Sequence, residues 1–129
     1  MTAPVATSAN QSARWTFAGV MALLALQWVW HVALFPPVPS PGYWVAIALS
    51  LPLAMLAVAL WLRRRSARYW SGVAALVYFC HGIAEAWTLP AERWLALAEA
   101  GLSVAVIVAA NWPGLAARFK RRASPPPNV

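Results

Sequence analysis

YWSGVAALVYFCHGIAEAWTL, residues 69–89, decides how this chain folds. The run has the length of a bilayer-spanning helix, for which about 20 predominantly apolar residues are needed. Yet it carries His81 and Glu85 inside it. An ionisable group in hydrocarbon costs roughly 2.5–3.5 kcal/mol on insertion scales, so such a residue marks a site by default. At about 100° per residue, Ser71, Ala74, Tyr78, His81, Glu85 and Thr88 fall within an arc of about 100°. Leu76, Phe79 and Ile83 point the other way. The helix therefore has a polar stripe and an apolar back. The stripe is expected to face the interior of a bundle, because polar groups facing lipid go unsatisfied.

Three further runs pass the same length test: residues 15–35, 43–62 and 94–112. The chain has 129 residues, of which 62% are hydrophobic and 10% charged. A soluble domain of this size cannot hide that much apolar surface, so the natural solvent is lipid. The expected fold is all-α: four transmembrane helices in an antiparallel bundle. Residues 1–13 read as a disordered tail, 14–115 as the membrane domain, and 116–129 as a basic, Pro-rich tail. Pro36, Pro37, Pro39 and Pro41 stiffen the first loop, and Pro52 is expected to kink or locally unwind the second span. Pro90 suits the first turn of the last helix.

The net charge is +7. Its placement argues against nucleic acid. Nine of the ten basic residues lie on one side of the four runs, and only Arg93 lies on the other. The positive-inside rule then puts both termini and the 63–68 loop in the cytoplasm. The tryptophans agree. Trp15, Trp61, Trp70 and Trp112 fall at the inner interface, and Trp44, Trp87 and Trp94 at the outer one, where amphipathic rings are favoured. Trp28 and Trp30 lie deeper. Arg63, Arg64, Arg65, Arg68, Arg118, Lys120, Arg121 and Arg122 are candidate contacts for anionic lipid headgroups.

Polar residues recur inside the other spans. Glu92, Ala96, Glu99, Ser103, Val106 and Ala110 share one face of the fourth, with Glu99 embedded and Glu92 at the surface. Gln27 and His31 lie four apart in the first, hence on one side. The helix rise places His31 and Glu85 roughly 9 Å, Glu99 roughly 6 Å and His81 roughly 3 Å outward from mid-membrane. A single cluster of His31, His81, Glu85 and Glu99, with Gln27 and Tyr78 beside it, is therefore expected in the outer half. It can serve as helix-to-helix glue, handle a proton or cation, or bind a metal or lipid ligand. No dense metal-ligand spacing is present, and nothing in the sequence implies a cofactor. The lone cysteine, Cys80, lies about 100° from His81 and reads as a small hydrophobe. The chain has no Asp, no phosphate loop, no dinucleotide glycine motif and no nucleophile elbow. It is expected not to be an enzyme. Gly82 with Ala86, Gly101 with Ala105, and Ala18 with Ala22 offer close-packing pairs, within the chain or in a homo-oligomer.

The stretch Tyr78-Phe79-Cys80-His81-Gly82-Ile83-Ala84-Glu85-Ala86-Trp87, followed by Glu92-Arg93-Trp94-Leu95-Ala96-Leu97-Ala98-Glu99, resembles a family of small bacterial inner-membrane proteins, domain of unknown function 2069. The Pro-Pro after a first span ending in Trp-His, and Leu51-Pro52 in the second, fit the same resemblance. It implies four helices in a bacterial inner membrane and carries over no activity. The functional expectation is a scaffold or accessory subunit in the bilayer, with the carrier and ligand-binding readings as alternatives.

Overall fold

The computed structural model describes residues 3–36 and 42–123. They form α1 (Ala3–Trp28), continued by a π-helical segment (Val29–Leu34), then α2 (Gly42–Trp61), α3 (Ala67–Thr88) and α4 (Arg93–Ala123). No strand occurs among the described residues. Three stretches are long and apolar enough to cross a membrane: Ser8–Leu34, Tyr43–Trp61 and Arg93–Arg122. The third helix of the expected four is 22 residues long but does not join them. The cause lies in its stripe, since His81, Glu85, Ser71, Tyr78 and Thr88 dilute its apolar content.

α4 is the centre of the assembly. It packs most extensively on α3 and next on α1, while α2 lies chiefly against α1. Its inward line is the one read from spacing: Ala96, Glu99, Ser103 and Val106 are all fully buried. α1 answers with Ser12, Thr16, Val20, Leu23 and Gln27, and the π-helical segment with Trp30, spaced by three and four. α2 contributes Ala46, Ser50, Leu53, Ala57 and Leu60 in the same rhythm. The outer surface is apolar. Leu51, Met55, Val58, Leu76, Val77 and Leu97 are each more than half exposed. All seven tryptophans assigned to the two belts are exposed as well, whereas Trp30 is buried.

Several expectations are corrected. Residues 3–13 are helical, where a disordered tail was expected. Ala3, Ala6, Ala9 and Ala13 favour helix, and buried Ser12 donates to the Ala109 carbonyl at 2.5 Å, tying this extension to α4. At the other end, α4 runs through Pro113 to Ala123 rather than stopping near Trp112. Pro113 removes one backbone donor, and the alanines that follow sustain the helix. Helix α2 continues through Pro52 without local unwinding. Pro90 lies in the turn before α4, which starts at Arg93. The proline-rich loop at residues 37–41 and the tail from Ser124 lie outside the described residues.

The interior face of α3 is rotated from its polar stripe. Its buried line is Ala67, Ser71, Ala75, Tyr78, Gly82 and Ala86. Small residues win the interior because they let backbones approach. A Cβ added at Gly82 would lie 2.6 Å from the Ala96 carbonyl oxygen. Of the three small-residue pairs, Gly82 with Ala86 packs inward. Gly101, Ala105 and Ala18 face outward.

α2 ends in a left-handed residue that is not glycine, Arg63 at φ 53°. The Arg64 amide reaches the Ala59 carbonyl and the Arg63 amide the Leu60 carbonyl, the paired bonds of a Schellman cap. A non-glycine residue there costs about 1–2 kcal/mol.

Candidate functional site

Glu99 sits at the centre of the bundle with no exposed surface. It is held there because its neighbours in helical register, Ala96 and Ser103, are small and bring α1 and α3 close to α4. Each of its carboxylate oxygens has a partner on a different helix. Gln27 of α1 donates from Nε2 to Oε1 at 2.6 Å. His81 of α3 places Nδ1 2.9 Å from Oε2. On the other edge of the imidazole, Nε2 stands 4.0 Å from Glu85 Oε1, one turn along α3. The result is a line of groups from a fully buried carboxylate, through His81, to Glu85. His81 and Glu85 retain 29% and 31% of their side-chain exposure, so the line ends on the flank of the bundle.

The rotation of α3 explains that geometry. With Gly82 against α4, His81 lies at the edge of the interface and reaches sideways to Glu99. Gln27 is also fully buried, and its Oε1 has no hydrogen-bond partner among the described residues. The same is true of Ser103 Oγ, one turn further along α4.

Two expected members stand apart. The Tyr78 hydroxyl donates to the Leu49 carbonyl, stitching α3 to α2. His31 packs on Trp30 instead. Its ring stacks on the indole with centroids 5.0 Å apart, and its Nδ1 lies 3.1 Å from the Gln27 carbonyl oxygen. No hydrogen bond or ion pair joins His31 to Glu85 or Glu99 among the described residues.

Trp30 and Glu92 are the pair that sequence reasoning missed. The buried indole lies edge-on to His81, with ring centroids 6.2 Å apart, and its Nε1 donates to Glu92 Oε2 at 2.5 Å. Glu92, expected at the surface, is thereby drawn against α1. The local cause is the π-helical turn, closed by the Phe35 amide on the Trp30 carbonyl. Its wider turn changes the angular register near the end of α1, and π turns are enriched at functional sites. Arg93 caps the neighbouring α3 end by donating from Nε to the Ala86 carbonyl at 3.0 Å.

Chemically, the site can fix the register of three helices or pass a proton along Glu99, His81 and Glu85. Among the described residues, no three His, Cys, Asp or Glu side chains are grouped to hold a metal ion.

A family model described as "Predicted membrane protein (DUF2069)" matches residues 15–119. The chain belongs to this family. The DUF2069 match reaches from Trp15 to Phe119 and so includes Gln27, Trp30, His81, Glu85, Glu92 and Glu99. DUF2069 is a domain of unknown function, and its description places these proteins in membranes. No curated protein and no solved structure matches the chain.

Proposed function

We propose that this chain is a non-enzymatic scaffold or accessory subunit of the bacterial inner membrane. All four helices cross the bilayer, both termini are cytoplasmic, and the Glu99 site locks the bundle. The observation that carries the reading is the satisfaction of Glu99: both oxygens are engaged, by α1 and by α3, in a core with no exposure. A buried carboxylate so held specifies one packing register, because any slip leaves it unpaired. The charge bias of the loops and the exposed tryptophans support the orientation. α3 has the length of a span and turns Leu76, Val77 and Ile83 outward. The two imidazoles find Glu99, Glu85 and the Gln27 carbonyl as partners, an arrangement that activates no nucleophile.

The test is direct. Purified protein in liposomes carrying a pH-sensitive dye should give no proton flux above empty vesicles. A Glu99→Gln variant should insert and fold normally, since the amide still hydrogen-bonds. Flux that Glu99→Gln abolishes would overturn the scaffold. It would favour the second reading, a proton-handling subunit, which rests on the partly exposed His81 lying between buried Glu99 and Glu85. For the topology, a reporter fused after Val129 should be active only as a cytoplasmic fusion; a periplasmic signal refutes the orientation.

A further inference from the structure

We propose that the cleft between the first turns of α1 and the α2–α3 turn binds the phosphate headgroup of an acidic phospholipid. The cleft holds about 1050 Å³ and lies at the opposite end of the bundle from Glu92. Its polar wall is five arginines: Arg14, Arg63, Arg64, Arg65 and Arg68. Its floor is apolar, built on Phe17 and Trp61, whose rings pack at 6.1 Å and 45°.

Charge makes the first half of the argument. Among the described residues none of the five arginines is paired with a carboxylate. The chain has three acidic side chains, Glu85 of α3, Glu99 of α4 and Glu92 in the turn between them, all toward the other end of the bundle. Five guanidinium groups around one cleft repel one another, and a bound anion removes that repulsion. Guanidinium forks match phosphate oxygens two at a time.

Placement makes the second half. The backbone tolerates Arg63 at φ 53°, a position where glycine is usual, and so keeps a third consecutive arginine in the turn. Arg68 is held toward α1 by a 3.4 Å bond from Nη1 to Ser12 Oγ. The exposed rings of Trp15, Trp61 and Trp70 surround this end, at the level where headgroups meet hydrocarbon. A phosphate on the arginines would leave its acyl chains along Phe17, Leu60 and the outer helix faces. Basic pockets at this depth recognise phospholipid headgroups. A second cleft, lined by Arg118, Arg121, Arg122, Leu115 and Phe119, is about 340 Å³ and carries fewer arginines. It serves as the internal control.

Full-length protein is placed in nanodiscs of phosphatidylcholine doped with phosphatidic acid, and the lipid retained on re-extraction is measured by native mass spectrometry. Wild type should retain phosphatidic acid selectively. The combined Arg14→Lys, Arg64→Lys and Arg68→Lys variant keeps the topological charge but loses the forks. Its retention should fall about tenfold or more, the scale of losing charge-assisted bonds. The Arg118→Lys, Arg121→Lys and Arg122→Lys variant keeps the charge through which that segment attracts headgroups diffusely, and should retain lipid as wild type does. Equal loss in both variants reduces the effect to diffuse surface charge and overturns the site. Equal retention of phosphatidylcholine does the same. Displacement of the lipid by inorganic phosphate at matching concentration would assign the arginines to a free anion instead. Should the triple variant lose its helix content, the single Arg64→Lys change in the exposed turn gives the same readout.

Discussion

At the residue scale, Glu99 illustrates why a buried acidic side chain can be worth retaining. Gln27 donates one amide hydrogen to it, and His81 places Nδ1 within hydrogen-bond reach of its other oxygen. Replacing Glu99 with Leu leaves the buried Gln27 amide and His81 Nδ1 without this partner. The expected loss is about 2–4 kcal/mol, from two unmade bonds at about 1–3 kcal/mol each, partly recovered by apolar burial. Glu99→Gln should cost less, about 0.6–2 kcal/mol, since one bond survives. Reversible unfolding in mixed detergent micelles measures both, and the ordering Leu worse than Gln is the outcome to check. Trp30→Phe tests the indole bond to Glu92. It removes the donor and keeps the ring, so a loss of about 1 kcal/mol is expected. A variant as stable as wild type would mean that Glu92 finds water instead.

Much of this site was legible. The three-and-four spacing of Glu99 and Ser103 on one face predicts their burial, and Gln27 follows from the same rhythm on α1. What could not be read was which residues of α3 take the interior. Polar and small residues compete there, and close approach at Gly82 decides for the small ones. Trp30 was hidden for another reason. It lies in the π-helical segment three residues past Gln27, and the spacing argument paired Gln27 with His31, four along, instead.

At the element scale, α3 and α4 form the tightest unit, and Gly82 is its point of contact. Gly82→Ala forces the new methyl against the Ala96 carbonyl oxygen and Ala100 backbone nitrogen, at 2.6 and 3.0 Å. Backbone atoms cannot turn aside, so a destabilisation of about 1–3 kcal/mol is expected. Gly101→Ala is the matched control. Nothing lies within 4 Å of its Cβ, and the change should be neutral or stabilise by up to about 1 kcal/mol. Thermal aggregation of the two variants in one detergent compares them; equal midpoints would remove Gly82 from the packing argument. The N-terminal half-turns of α1 were illegible at this scale, because alanine, serine and threonine without apolar periodicity read as a tail. Tertiary partners such as the Ala109 carbonyl, invisible along the chain, recruit them into the helix.

At the scale of the whole molecule, polar content is segregated by depth. The carboxylates and imidazoles gather at one end, with Arg93 beside them, the other arginines stand at the opposite end, and an apolar middle of Val20, Leu23, Leu53 and Val106 lies between. The family match runs from within α1 to within α4, and the all-helical, membrane character of the chain was readable from composition and run length. The modest apolarity of α3 then bears on how the protein is made. A segment with His81 and Glu85 partitions poorly from the translocon by itself, since each polar group resists transfer until a partner arrives. The partner is Glu99, only one short turn downstream. With α3 and α4 both spanning, as proposed, the two are expected to enter together as a hairpin, the imidazole–carboxylate contact being made as they leave the channel. A chain truncated after Leu89 should leave α3 outside the bilayer, and one ending after Ala123 should bury it, a contrast that labelling of Cys80 with an impermeant maleimide reads out.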